Sequence, residues 1–178
     1  DRGAFWKKVY NKSKILVAII IIQLKNCTFV RYKRHDMPIL LHLETSTTVC
    51  SVCLSENGKI VYEVVDDKGQ NHSELLGVFV QKALQEAKKQ HLQLDAVAVS
   101  SGPGSYTGLR IGVSMAKGLC YGFSIPLIAI NSLKILAQGV VANHSIEHDA
   151  ILCPMIDARR MEVYTAFFDA RLNILKPT

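Results

Sequence analysis

The alternation of apolar and polar positions predicts three strands at the start of the folded region. Apolar runs lie at residues 38–44, 48–55 and 59–65. The last two are separated by a short segment containing Asn57-Gly58, a dipeptide typical of the tight turn of a β-hairpin. The pattern therefore predicts a meander of three antiparallel strands.

After residue 70 the apolar period changes from that of a strand to that of a helix. Apolar side chains from Leu75 to Ala87 recur on one helical face, which predicts an amphipathic helix over residues 71–90. Asn71 is followed three positions later by Glu74, the spacing of a capping box. We therefore expect the Asn71 side chain to cap this helix.

The next segments alternate strand and helix. Short apolar runs at 94–101 and 125–130 are separated by a predicted helix at 106–122, and Asn131 or Ser132 can cap another helix. This alternation favours parallel pairing through right-handed crossovers. The sequence thus predicts an α/β fold with a mixed sheet of three antiparallel plus two parallel strands.

Two further β-like runs after Ala150 are separated by Ala158-Arg159-Arg160. A hairpin without covering helices does not complete a domain. We therefore interpret residues 37–142 as a first lobe and residues 143–178 as the beginning of a truncated second lobe.

Charge is divided unevenly along the chain. Residues 1–36 hold nine Lys or Arg against two acidic residues, whereas the remainder holds twelve against thirteen. The core therefore has no electrostatic signature of a nucleic-acid binder, and we expect no direct nucleic-acid binding by it. The apolar run at 15–24 is about half the length that spans a bilayer. We interpret residues 1–36 as an N-terminal extension outside the fold, with a membrane anchor as the alternative.

Five cysteines make an odd number without the density of a disulfide scaffold, so we expect a cytoplasmic protein. Cys50 and Cys53 are three positions apart on a predicted strand, and their side chains should point to opposite faces. No second such pair completes a zinc site. We expect neither a metal nor a cofactor.

The segment "SSGPGSYTGLRIGVSMAKGLCYG" at 100–122 has the glycine content of a phosphate loop. It fails the specific templates. Thr107 stands where a Walker loop and a dinucleotide fingerprint each require glycine, and Pro103 stands where a nucleophile elbow requires it. A generic anion site at the helix N-terminus stays open.

The glycines inside this helix are costly, because each destabilises a helix by about 1 kcal/mol relative to alanine. Small residues form two rows, one with Gly108, Gly112, Ala116 and Cys120, and another with Ser114, Gly118 and Gly122. Such rows allow close helix packing. One row can pack on the sheet, while the other either packs inside this fold or receives a helix from another chain.

Five segments together resemble the TsaB (YeaZ-like) family, the non-catalytic subunits of the bacterial complex that makes threonylcarbamoyladenosine in tRNA. They are "ILLHLETSTTVCSVCL", "NHSELL", "SSGPGSYTGLRIGVSMAKGL", "IPLIAINSL" and "PMIDARRMEVYTAFFD". The resemblance implies an RNase H-like fold, that of the actin-like ATPase domain. It also implies a TsaD-like transferase as partner, a TsaE-like ATPase in the same complex, and homodimers as another state.

In this family the helices equivalent to 72–90 and 106–122 form the contact surface. The resemblance therefore implies these candidate interface residues: Leu76, Phe79, Val80, Thr107, Arg110, Ile111, Ser114, Met115 and Gly118. No catalytic residue is expected in this chain, because the transferase site of such complexes lies on the partner.

Two other functions stay open. A TsaD-like metal-dependent transferase would carry histidine ligands after the second parallel strand, where this chain has Asn131-Ser132 and then Leu136. His144 and His148 repeat the spacing later, in a segment predicted to be a turn. An actin-fold ATPase or kinase would use Glu44, Thr45 and Ser46 near phosphate, a site considered degenerate in the TsaB family.

Overall fold

A computed structural model describes residues 38–68 and 71–177, in which a five-stranded mixed sheet carries three helices. The elements in chain order are β1 (Ile39–Glu44), β2 (Cys50–Glu56), β3 (Lys59–Asp66), α1 (His72–Lys89), β4 (Ala96–Ser100), α2 (Tyr106–Phe123), β5 (Leu127–Ile130), α3 (Ser132–Asn143), β6 (Met155–Arg159), β7 (Glu162–Thr165), β8 (Phe167–Phe168) and β9 (Ile174–Lys176).

The sheet order is β3-β2-β1-β4-β5. Strand β1 pairs antiparallel with β2 and parallel with β4, while β2–β3 is antiparallel and β4–β5 parallel. The predicted set of three antiparallel plus two parallel strands is therefore confirmed. The hairpin turn between β2 and β3 is confirmed as well, with φ of 44° at Asn57 and 82° at Gly58.

Helices α1 and α2 cover one face of this sheet. Alternate residues of the strands point toward them, including Leu41 and Leu43 of β1, and they pack against apolar residues of both helices. Leu76 and Ala83 of α1 and Ala116 of α2 are fully buried in this cluster. The two helices also contact each other, so they form one layer.

Helix α3 covers part of the opposite face and supports the C-terminal strands. Its Ile135 packs with Leu40 of β1, whereas its Leu133 and Ala137 pack with Ala166 and Phe168. The predicted β6–β7 hairpin is confirmed, but β6 continues two residues into the predicted break, through Ala158 and Arg159. The second predicted run is divided in the structure into β7 and the short strand β8, and β8 pairs with β9, a strand of three residues that was not predicted.

Two buried side chains on the sheet, His42 and Cys50, are neutral at pH 7. The His42 Nε2 lies 2.7 Å from Ser55 Oγ, and burial lowers the pKa of His42 to about 3. Cys50 belongs to the cluster beneath α1 and α2, whereas Cys53 pairs with His42 across the strands. The prediction that the two cysteines occupy opposite faces is therefore confirmed. Burial raises the pKa of the Cys50 thiol to about 11, so it stays a thiol at neutral pH.

The predicted capping box at the start of α1 is wrong. Asn71 has φ of 75° instead of the extended conformation that a capping side chain requires, and its side chain accepts no hydrogen bond from the helix. The Asn71 amide instead donates to the Glu74 carboxylate at 2.9 Å. The start of α1 is held by His72, whose Nε2 lies 3.0 Å from the Thr47 carbonyl oxygen.

The basic segment 1–36 and its apolar run lie outside the described residues, so their predicted role stays a prediction. Within residues 38–68 and 71–177, no helix combines the length and apolar content needed to cross a bilayer.

Candidate functional site

The first small-residue row of α2 packs against the end of β1. A Cβ added at Gly108 would overlap the Thr45 carbonyl oxygen, and one added at Gly112 would overlap Thr45 Oγ1. Gly108, Gly112 and Ala116 are buried. Close approach of the helix to the strand therefore requires glycine at both positions. This contact explains why the helix has glycine there, although alanine would make the helix itself more stable.

The N-terminus of α2 is bound to the same strand end. The Ser105 N–H donates to the Ser46 carbonyl oxygen at 2.7 Å, and Ser105 Oγ accepts from the Gly108 N–H at 3.3 Å. Gly104, with φ of 156°, brings the loop so close to Ser46 that a side chain would overlap the Ser46 carbonyl oxygen. These contacts fix where α2 lies on the sheet.

The second small-residue row of α2 faces outward. Ser114, Gly118 and Gly122 are exposed, and apart from the adjacent residues and the backbone of the same helix, no atom of the described residues lies within 4 Å of the Cβ positions at Gly118 and Gly122. The alternative in which both rows pack inside this fold is therefore wrong for the part of the chain that the structure describes. The outer row is a flat, glycine-lined strip on the protein surface.

The predicted interface residues divide into three groups. Thr107, Arg110, Ser114 and Gly118 are exposed, and Ile111 and Met115 are half-buried. Leu76, Phe79 and Val80 of α1 are at most 7% exposed, because the apolar stripe of α1 faces the sheet. Their assignment to an interface stays a prediction, since in this chain they support the layer from beneath.

Several other exposed residues of α1 and α2 were not predicted. Tyr106 is 75% exposed and Tyr121 is 91% exposed on α2, while Val78 of α1 is 45% exposed. A shallow depression on α1 is lined by Gly77, Val80, Gln81, Leu84, Gln85 and Lys88. The sequence could have identified Tyr121, because it lies three residues after Gly118 and is therefore its neighbour on the helix surface. We call the exposed residues of α1 and α2 the α1–α2 surface.

The carboxyl ends of β1, β4 and β5 form a second polar region. Glu44 Oε1 accepts hydrogen bonds from the Ser46 N–H at 2.6 Å and from Ser100 Oγ at 2.9 Å. Burial raises the pKa of Glu44, although the hydrogen bonds from Ser46 and Ser100 oppose the rise. The carboxylate therefore joins two strand ends to the loop that supports α2.

The helix N-termini at this edge are capped by protein groups. Asn131 Oδ1 accepts from the backbone N–H groups of Leu133 at 2.9 Å and Lys134 at 3.1 Å. Of the two predicted candidates, Asn131 is thus the residue that caps α3. Because these donors and the Gly108 N–H are already engaged, they are not free to bind an anion.

His144 and His148 lie between α3 and β6, outside regular structure, as predicted. Both are exposed, and His148 Nε2 lies 3.1 Å from the guanidinium of Arg171. Among the described residues, no group of three or more His, Cys, Asp or Glu is placed to hold a metal ion. At the position where TsaD-like ligands were considered, Leu136 is half-buried on α3.

A family model described as "TsaD: tRNA N6-adenosine threonylcarbamoyltransferase" matches residues 59–176, which is more than half of the chain. The chain belongs to this family. Within it, the chain is similar to proteins named TsaB, which confirms the resemblance drawn from the five segments.

Two curated relatives carry the name tRNA threonylcarbamoyladenosine biosynthesis protein TsaB. The protein from Bacillus subtilis is 32% identical over 77% of this chain and 58% of its own length. The protein from Haemophilus influenzae is 36% identical over 70% of this chain and 51% of its own length. The chain thus spans between half and three-fifths of these TsaB relatives.

The solved structure "YeaZ from Pseudomonas aeruginosa" is 28% identical, with a TM-score of 0.65. The match covers 78% of this chain and 64% of that one. Together with the sheet order, this likeness confirms the predicted RNase H-like, actin-like fold in this member of the TsaD family.

The two glycine rows predict opposite effects of the same substitution. Gly118→Ala should raise the free energy of unfolding by about 1 kcal/mol, because alanine favours the helix and the site is open. Gly108→Ala should lower it, because the new Cβ overlaps backbone that cannot move aside easily. Urea unfolding of both variants measures this, and equal effects would contradict the assignment of inner and outer rows.

The raised pKa of Glu44 predicts a pH-dependent effect of Glu44→Gln. Because the folded-state pKa lies above the ordinary value of 4.5, the contribution of Glu44 is greatest below that value and is lost as pH rises through the folded pKa. Gln keeps an oxygen acceptor but carries no charge. The stability of the Gln variant relative to wild type should therefore increase from pH 4.5 upward. A relative stability that is constant with pH would contradict the ionisation argument.

Proposed function

We propose that this chain is a non-catalytic scaffold subunit that binds and stabilises a TsaD-type transferase in the synthesis of threonylcarbamoyladenosine in tRNA. The observation that carries the proposal is the exposed small-residue row of α2, at Ser114, Gly118 and Gly122. The TsaB names of the relatives supply the biochemical context.

The energetic argument compares the two rows. The inner glycines are required by contact with Thr45, whereas a Cβ at either outer glycine would meet no atom from outside its own helix among the described residues. Gly118 and Gly122 each destabilise an isolated helix by about 1 kcal/mol relative to alanine. A helix from a partner that packs closely on this strip would offset that cost, because small residues let two helix backbones approach.

The surroundings of the strip suit a protein partner. Tyr106 and Tyr121 are exposed on the same helix as the strip, and Val78 is exposed on α1. Aromatic residues are enriched at the centres of protein interfaces, where their burial contributes much of the binding energy. The α1–α2 surface thus combines a flat strip with side chains that can fill pockets on a partner.

The same proposal covers the rest of the assembly. A TsaE-like ATPase would join the complex, and a homodimer through the α1–α2 surface would compete with the heterocomplex.

We further propose that residues 37–142 are the first lobe and residues 143–178 begin a second, which packs on α3 through Phe168. A cytoplasmic location belongs to the same proposal.

A second candidate is a metal-dependent TsaD-like transferase, because the matching family model carries the name of that enzyme. Under this alternative the chain would transfer the threonylcarbamoyl group without a partner. Under the scaffold proposal, transfer requires the TsaD-type protein.

The proposal is tested by measuring the affinity of the full chain for a purified TsaD-type protein. Gly118→Leu should weaken binding at least about tenfold, because a leucine on the strip holds the two helices apart. The variant should fold normally, since the site is open.

Ala142→Leu is the matched control, because Ala142 is exposed near the end of α3 and away from the strip. It should bind like wild type. Equal affinities of the Gly118 and Ala142 variants would contradict the proposal, as would threonylcarbamoyl transfer by this chain alone.

A further inference from the structure

Two hairpins of this chain make the same tight turn with very different residues. The β2–β3 turn uses Asn57-Gly58, with φ of 44° and 82°. The β6–β7 turn uses Arg160-Met161, with φ of 52° and 66°, and Arg159 before it has φ of 69°. A two-residue hairpin turn with both φ positive favours asparagine and glycine, because a longer side chain makes this backbone conformation costly. The β6–β7 turn therefore gives up stability that the β2–β3 turn keeps.

The residues of the β6–β7 turn present their side chains to solvent. Arg159 and Arg160 are exposed, and Met161 is 104% exposed. Every residue of β6 and β7 is exposed or half-buried, so the turn ends a ribbon that is accessible along its length. We call Arg159, Arg160 and Met161 the β6–β7 tip. Backbone strain of this kind is concentrated at functional positions, which makes the tip a candidate binding element.

The two guanidinium groups of the tip have no carboxylate partner in the part of the chain that the structure describes. The ion pair found there joins Lys89 to Glu86 on α1. Asp157 Oδ1 accepts from the Arg159 N–H at 2.7 Å, so this acid supports the turn backbone. The tip therefore offers two unpaired positive charges and an apolar thioether to a ligand outside the fold.

The tip lies away from the α1–α2 surface. The C-terminal strands pack on α3 through Ile156, Ala166 and Phe168. Helix α3 covers the face of the sheet opposite α1 and α2. A protein bound to the α1–α2 surface therefore leaves the tip open to a further ligand.

The chemistry of the tip fits the sugar-phosphate chain of RNA. A guanidinium can donate two parallel hydrogen bonds to one phosphate, and it can also stack on an unpaired base. Methionine is among the apolar side chains that nucleic-acid-binding proteins insert between bases. The TsaB relatives are named for tRNA threonylcarbamoyladenosine biosynthesis, and tRNA is a polyanion of this kind.

We propose that the β6–β7 tip contacts phosphates of the substrate tRNA while the chain is bound to the TsaD-type protein. The inference rests on the proposed function and adds a site by which the non-catalytic subunit helps to hold the substrate. It departs from the expectation, drawn from net charge, that the core makes no direct contact with nucleic acid. Net charge sums over the whole surface, whereas a phosphate contact requires only an unpaired guanidinium at one place.

The first test combines Arg159→Gln with Arg160→Gln in the full chain. It measures binding of an unmodified tRNA transcript to the complex with the TsaD-type protein. The affinity at low salt should fall about tenfold. Because fewer counterions are released, the slope of log affinity against log salt concentration should become shallower by about 1 to 2. Loss of a purely structural group would leave this slope unchanged.

Arg171→Gln with Lys176→Gln is the matched control. It removes the same number of charges from exposed residues that follow β8, beyond the end of β7 that lies away from the tip. This control should keep the wild-type affinity and slope. The inference is overturned if the tip variant keeps the wild-type slope, or if the control changes the slope equally.

The second test copies the β2–β3 turn into the tip through Arg160→Asn with Met161→Gly. Both new residues adopt positive φ readily, so the melting temperature should rise by about 3 °C. The affinity for the tRNA transcript should fall in the same variant. A gain in stability with unchanged affinity would mean that the turn has only a structural role, and would overturn the inference. A melting temperature that does not rise would overturn it as well, because the native turn would then carry no strain.

Formation of the protein complex is measured separately, without tRNA. Both tip variants should bind the TsaD-type protein like wild type, since the tip lies away from the α1–α2 surface. Weaker complex formation by the tip variants would assign the tip to a protein interface and would overturn this inference alone. Absence of a complex even with the wild-type chain would contradict the scaffold proposal and this inference with it.

Discussion

The contact between the inner face of α2 and the end of β1 determines much of this structure. Gly108 and Gly112 allow Thr45 to touch the helix backbone, and Ser105 binds the Ser46 carbonyl oxygen. A side chain larger than hydrogen at these glycines would push the helix away from the sheet. Because this contact sets the position of α2, it also decides which residues of the helix face outward.

Glu44 extends this constraint across the sheet. Its carboxylate binds Ser46 in the loop and Ser100 at the end of β4, so that one acidic side chain joins β1, β4 and the support of α2. In an actin-like ATPase an acid at this edge would serve phosphate chemistry. Here the residues at this edge have structural roles, because Glu44 joins strand ends by hydrogen bonds and Asn131 caps α3. The same contacts connect this edge of the sheet to α2, which carries the proposed partner surface.

The sequence predicted most of the fold, because the apolar periods of strands and helices were long and distinct. The two glycine rows were also found, since a helix fixes which residues share a face. The sequence could not show which row faces outward, because both rows consist of small residues. Only the structure distinguished them. Similarly, the family resemblance made Leu76 and Phe79 candidate interface residues, yet their apolar character places them against the sheet. The αL conformation of Asn71 could not be read from its spacing to Glu74.

The central claim is that the outer face of α2 receives a TsaD-type protein. Hydroxyl-radical footprinting read by mass spectrometry tests it with native residues, because Tyr121 on α2 and Met161 at the β6–β7 turn are both highly exposed. The account predicts that oxidation of Tyr121 falls when the TsaD-type protein is added, while oxidation of Met161 persists. Unchanged oxidation of Tyr121 in a complex that has formed would contradict the account.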